Sequence, residues 1–252
     1  MSAAIDSYMS FRRLSRRDEG YLLKINGLIG ERALAGIGQT DFDQCARILY
    51  PGRSNETWNR SVYTPLQAAL RHVGVNFLLK RPKQKKPKHR SLTAHKRDVL
   101  IANAGDPDLK ALLTLLFYCG PRISEAISLT RERADLENGV ACFDTTKTGD
   151  EHWRPLHEKV VAALTALPPR KDGRFFRWKT RWGPRKDLRE LSEKTGIHFS
   201  PHVGRHTFAD QVMEKGASLR DLMDAGGWKD AKSAMRYTGR NVERLRKTVN
   251  RL

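Results

Sequence analysis

Apolar positions in the first third of the chain recur at helical spacing. Ile5, Tyr8, Met9 and Phe11 fall mostly on one helical face, and Tyr21, Leu22, Ile25, Leu28 and Ile29 repeat three and four apart. Gly36 and Gly38 interrupt the pattern, and Thr40 or Asp41 is expected to cap a short helix running to Tyr50. After the turn at Pro51-Gly52, Ser54 or Asn55 should cap a longer helix carrying Trp58, Val62, Leu66, Ala69, Leu70 and Val73, kinked at Pro65. Further on, Leu109, Leu112, Leu113, Leu116 and Phe117 mark a buried helix face that ends at Cys119-Gly120-Pro121, and a second helix opens near Arg122. The period then shortens. Gly139–Asp144 and His152–Leu156 read as a hairpin turning through Thr148-Gly149-Asp150. Val160, Val161, Ala163, Leu164 and Leu167 begin another helical run, stopped by Pro168-Pro169. Helices are expected over 185–195, 204–216, 218–225, 229–237 and 241–251. The predicted class is mainly α with a small β-sheet.

Between the two halves, Lys80 to Arg97 holds nine Lys or Arg, two His, two Pro and no acid. Like charges and prolines oppose a helix there, so a linker is expected. At about 150 residues per domain, 252 residues make one or two domains. The division predicted is a helical domain over 1–81, a basic linker over 82–91 and a second domain over 92–252.

Charge changes the picture further. Lys and Arg number 47 against 28 acids, a net +19. That excess points to a polyanion, either nucleic acid or an anionic membrane face. The longest apolar run, Ala111 to Cys119, is about half the ~20 residues a membrane span needs. The N-terminus has no secretion-signal pattern. Cys45, Cys119 and Cys142 form no CxxC and no disulfide framework, so a reduced, cytoplasmic location is expected.

Four clusters in the second half carry chemistry. In Gly120-Pro121-Arg122-Ile123-Ser124-Glu125-Ala126, a guanidinium at a helix opening suits a phosphate, and Glu125 can hold it. Lys147, in Thr145-Thr146-Lys147-Thr148-Gly149, sits at the hairpin tip, where an ammonium can give a proton to a leaving oxygen. In His202-Val203-Gly204-Arg205-His206-Thr207, helical spacing brings His202, Arg205 and His206 together. A zinc reading of His202 and His206 lacks a nearby Glu or Cys and places an arginine beside the cation, so no metal is expected. The last cluster is Gly226-Gly227-Trp228, followed nine residues later by Tyr237.

Taken in order, these clusters resemble the tyrosine recombinase family, the phage integrases and their relatives, over about residues 92–252. The resemblance implies a helical core-binding domain followed by a catalytic domain. It also implies that Arg122 and Arg205 clamp the scissile phosphate and that Tyr237 is the nucleophile of a 3′-phosphotyrosyl link. Lys147 is then the general acid, His202 assists proton transfer, Trp228 stands where members carry His or Trp, and Glu125 is the supporting acid. A phenol of pKa near 10 needs neighbouring cations or a base to attack at neutral pH. The link conserves bond energy, so no cofactor is expected. The sequence departs from the family at Pro121 and Gly204, each where Leu is common, and in Gly226-Gly227-Trp228, where Leu-Gly-His is common.

The function implied is site-specific recombination of double-stranded DNA, as in a phage or mobile-element integrase. The alternatives are a type IB topoisomerase and a non-catalytic DNA-binding relative. Implied partners are a DNA recombination site, accessory DNA-bending or directionality factors, and three further copies in a tetramer. The tetramer would be linked by a C-terminal helix (Val242, Leu245, Val249, Leu252) docked in trans. Lys83, Lys85, Lys86, Lys88 and Arg90 are expected to contact phosphates. Trp58, Asn59, Arg60 and Arg71 are candidates for the major groove. Arg170 to Arg189 interleaves nine cations with Phe175, Phe176, Trp178 and Trp182, reading either as anchored core aromatics or as a DNA-facing loop.

Overall fold

The structure, a computed structural model, describes residues 1–76, 78–84, 90–145, 151–238, 246 and 249–250. Lys85, Lys86, Lys88, Lys147 and most of the expected C-terminal helix lie outside the described residues. The chain divides into two compact units, Met1–Lys88 and His89–Leu252.

The first unit is helical: α1 (Ser2–Phe11), α2 (Arg16–Ile29), α3 (Gln39–Leu49), α4 (Asn55–Trp58) and α5 (Thr64–His72). Ile5, Leu22, Ile25, Phe42, Val62, Leu66 and Leu70 meet in its core, as the helical periodicity requires. Two local predictions are refined. Asp41 does not stand at the N-cap of α3. It lies one turn inside and reaches back to the Gly38 amide at 2.9 Å while pairing with Arg32. The kink expected at Pro65 takes the form of a π-helical turn, Asn59–Tyr63, ahead of α5. Proline has no N–H for the helical ladder, and the bond spacing widens beside it. The start of the basic tract is tied to this unit. Gln39 exchanges two hydrogen bonds with the Lys80 backbone, Asn59 Nδ2 donates to the Pro82 carbonyl at 2.8 Å, and Asn55 Nδ2 donates to Lys83 at 2.9 Å. Trp58 likewise donates Nε1 to the Tyr50 carbonyl. Trp58 and Asn59 are therefore structural here, whereas Arg60 and Arg71 are exposed.

The second unit opens with α6 (Ala94–Ala102), so the end of the basic tract is helical, capped by Thr93. Next come α7 (Pro107–Tyr118) and α8 (Ile123–Ser128), then strands β1 (Ala134–Asp135), β2 (Val140–Thr145) and β3 (Glu151–Pro155). The strands form one antiparallel sheet in that order, with Ala141 opposite Ala134 and Arg154, and a register shift between Cys142 and Thr145. The short β1 had no signal of its own in the sequence. The chain continues through α9 (Glu158–Thr165), α10 (Arg185–Thr195), α11 (Pro201–Glu214), α12 (Leu219–Gly226) and α13 (Ala231–Ala234), ending the described run in a 3₁₀ turn, Met235–Tyr237. Because α11 starts at Pro201 rather than 204, His202 sits in its first turn.

Two cores result. The main one centres on α7 and joins α8, the sheet, α9 and α10. A second, smaller cluster joins Phe208, Ala209 and Met213 of α11 to Leu222, Trp228, Ala234 and Tyr237. Gly204 allows α11 to lie close against α7, since a Cβ there would come 3.1 Å from Leu116 Cβ. The basic loop before α10 is braced from within. Phe175, Phe176 and Trp178 are buried, Arg170 grips Asp108 with Nη2, and Arg177 bonds Asp106 and Asp187.

Candidate active site

The site begins where α7 stops. Gly120 adopts φ +62, a conformation that costs other residues energy, and a Cβ there would overlap the Phe208 ring. This turn presents the Gly120 carbonyl to Arg205 of α11, which donates Nη1 to it at 2.6 Å and to the Gly226 carbonyl at 2.8 Å. Arg205 is 4% exposed, and its guanidinium carbon lies 3.6 Å from the centre of the Trp228 ring. Nη2 is buried with no hydrogen-bond partner. Burying a guanidinium costs several kcal/mol, and carbonyl dipoles with an indole face offset only part of that. Burial and the charge of Arg122 pull its pKa down to about 10, so it stays a cation at neutral pH. An anion at its open edge would satisfy both charge and hydrogen bond.

Arg122 is held in the opposite way. It stands at the N-cap of α8, where Glu125 accepts from its backbone N–H at 2.9 Å and from Nη1 at 2.6 Å. About half of its side chain is exposed. The same carboxylate takes Arg154 Nη2 from β3 at 3.4 Å. Arg154 is buried against the Phe143 ring and beneath Gly227, where a Cβ would lie 2.6 Å from Nη1. Glu125 thus ties the exposed arginine to the sheet.

Tyr237 completes the group. Its ring packs edge-on to Trp228 at 5.4 Å between centroids, and its hydroxyl is 2.7 Å from His206 Nδ1. It is 8% exposed. Burial raises the phenol's pKa, against the opposing pull of Arg205 and Arg236. The His202 ring lies edge-on to His206 at 4.5 Å. Burial, then Arg205, Arg236 and Arg122, lower its pKa and favour its neutral form. Helical spacing groups His206 with His202 and Arg205 but assigns it no role. Its bond to the phenol joins residues 31 apart, and local spacing carries no sign of it.

Arg122, His202, Arg205, Trp228 and Tyr237 line one cleft of about 630 Å³, together with Arg181, Arg185 and Arg236. Among the described residues no carboxylate lines it. Low-dielectric walls with one sign of charge concentrate an anion there. At its rim Trp182 is 57% exposed, with the Arg181 and Arg185 guanidinium groups 4.6 and 5.3 Å from its ring. No ion pair among the described residues engages either arginine, unlike Arg170 and Arg177 earlier in the same loop. The two readings of this loop therefore divide along it. Its first half anchors, and its second half faces the cleft. Lys83 and Arg90 are exposed. Among the described residues no group of three or more His, Cys, Asp or Glu is placed to hold a metal ion, and no helix is long and apolar enough to cross a membrane.

The phage integrase family model matches residues 90–244. The chain belongs to the phage integrase family. Among curated proteins it is 34% identical over 201 residues to tyrosine recombinase XerC of Rhodospirillum centenum, covering 71% of this chain and 58% of that protein. It is 25% identical over 184 residues to tyrosine recombinase XerA of Pyrococcus horikoshii, covering 69% and 65%. The chain thus spans less than two thirds of the length of these two relatives. In fold it is similar to the Tn1549 transposon integrase solved with transposon right-end DNA, at a TM-score of 0.74 and 18% identity, over 100% of this chain and 98% of that one.

Positions 226 and 228 share one volume. A Cβ on Gly226 would overlap the Trp228 ring. The large indole occupies the space that a Leu at 226 would fill, so the glycine and the tryptophan are a single exchange of volume.

Proposed function

We propose that this chain is a site-specific recombinase that cleaves and rejoins duplex DNA through a 3′-phosphotyrosyl intermediate on Tyr237. The observation that carries this reading is the buried Arg205, with an unpartnered Nη2, lining one cleft with the Tyr237 phenol. Arg205 and Arg122 would take the non-bridging oxygens of the scissile phosphate and stabilise the charge that builds on them as a fifth ligand arrives. Trp228 packs against both Arg205 and Tyr237 and keeps cation and nucleophile in register. An indole donates but cannot relay a proton, so proton traffic falls to other groups. His202 would face the phosphate, and Lys147 would supply the proton to the departing 5′ oxygen. Glu125 orients Arg122. The relatives named above are recombinases and a transposon integrase, which sets this reading ahead of a topoisomerase.

Around the chemistry, Arg181, Trp182 and Arg185 would extend the backbone contact. Stacking on an indole leaves the edge N–H donors of a guanidinium open to a phosphate. In the first unit, Arg12, Arg13, Arg60 and Arg81 line a second cleft and would meet flanking DNA, with Lys83, Lys85, Lys86, Lys88 and Arg90 crossing phosphates between the domains. Assembly as a tetramer through the C-terminal segment, with accessory factors, belongs to the same reading.

The test is cleavage of nicked duplexes carrying DNA from either side of the gene. Wild type should leave a protein–DNA adduct on a denaturing gel in the presence of EDTA. Tyr237→Phe should bind the same DNA and leave none. An undiminished adduct from the Phe variant would place the nucleophile elsewhere.

A further inference from the structure

Resting on the assignment of Tyr237 as nucleophile, we propose that His206 is a further catalytic residue, accepting the phenolic proton as Tyr237 attacks the phosphate.

The placement follows from the pitch of α11. Arg205 and His206 are consecutive, so their side chains diverge by about 100° around the helix. Arg205 turns to the Gly120 and Gly226 carbonyls. His206 turns to the 3₁₀ turn that holds Tyr237 and meets the phenol at 2.7 Å through Nδ1. That distance is a strong hydrogen bond and lies within the reach required of a general base. His202, one turn earlier, lines the cleft, whereas His206 does not. The two imidazoles, edge to face at 4.5 Å between centroids, thus divide the work. One faces the phosphate, the other the nucleophile.

The need is chemical. A buried phenol ionises poorly, and an imidazole is the side chain best matched to take its proton near neutral pH. In the forward step the Tyr237 O–H donates to His206 Nδ1, and the proton moves there as the Oη–P bond forms. The P–O5′ bond breaks, and the 5′ oxygen gains a proton from the general acid assigned above to Lys147. In religation the 5′ hydroxyl returns its proton to that group and attacks phosphorus. The Oη–P bond breaks, and the phenolate recovers its proton from the His206 imidazolium. Two protons move each way and none is lost.

The experiment compares single-turnover cleavage of a nicked duplex by the full chain with His and with Gln at 206. A Gln carbonyl can accept the phenolic hydrogen bond but cannot take the proton. His206→Gln should lower the cleavage rate about 10²-fold with DNA affinity unchanged. Installing 3,5-difluorotyrosine at 237 makes the phenol acidic enough to ionise without a base. That replacement should restore most of the loss in the Gln background and change the His206 protein little. Wild-type cleavage by the Gln variant, or a loss that fluorination does not restore, would overturn the proposal. A wild-type protein that forms no adduct at residue 237 would refute the nucleophile assignment itself, and this proposal with it.

Discussion

The second unit offers two supports of very different size to the residues around its cleft. Arg122, Glu125 and Arg154 stand on α8 and β3, beside the main core, in which 25 residues are buried among those described. Trp228 and Tyr237 belong to a cluster of 7. Arg205 sits on the helix that contributes to both: Val203 joins the large core, Phe208 and Ala209 the small one. The half proposed to grip the phosphate is therefore the half with the larger apolar core beside it, and the half carrying the proposed nucleophile has little apolar burial to hold it. Few buried contacts mean a low local opening free energy. A nucleophile that must approach phosphorus, leave it and return is well served by such a mounting.

Arg205, as the joint, should give the largest effects. Arg205→Lys should lower cleavage about 10³-fold, because one ammonium cannot replace a fork that bridges two carbonyls and a phosphate. It should also lower the melting temperature, measured by calorimetry, since the carbonyls of Gly120 and Gly226 lose a matched donor. Arg122→Lys should cost about 10²-fold in cleavage and leave the melting temperature unmoved, its side chain being half in water. Equal thermal losses in the two variants would erase the distinction between joint and rim.

Next in size is the volume exchange. Gly226→Leu alone should destabilise by about 1–3 kcal/mol through overpacking, and Trp228→His in the same chain should recover most of that. A double-mutant cycle with no coupling would show that the two positions vary independently. Smallest is the rim. Trp182→Ala should leave stability within about 0.5 kcal/mol, as exposed substitutions usually do. It should weaken DNA binding a few-fold in a filter assay, and unchanged binding would remove this loop from the DNA-facing surface.

Much of this architecture was legible in the sequence because it rests on local periodicity. The apolar rows of α5 and α7 named their buried faces directly, that of α2 did so except at Leu28, which is exposed, and Pro65 announced a break. Arg122, Arg205 and Tyr237 could be picked out only by the order of their motifs, for singly each looked like surface or packing. What stayed hidden is non-local. The grip of Arg170 and Arg177 on Asp106 and Asp108 spans 62 to 71 residues, and no spacing rule encodes it. Strand β1 is two residues long, too short for a period. His206 drew attention only as the partner of His202, because its actual partner lies on another element. The glycines at 204 and 226 looked like departures from a family pattern until their neighbours supplied the volumes.

On the proposed reading, the open edge of Arg205 is reserved for the charge of the scissile phosphate. A methylphosphonate at that single linkage removes the charge while keeping the leaving group. The decisive quantity is the ratio of cleavage rates on methylphosphonate and phosphate DNA, taken within one protein so that any loss of folded enzyme cancels. Removing Arg205 as Arg205→Ala should raise that ratio at least tenfold over wild type, because the neutral linkage no longer needs the missing cation. An identical ratio in the two proteins would leave Arg205 as a structural brace between Gly120 and Gly226, with no role toward the phosphate charge.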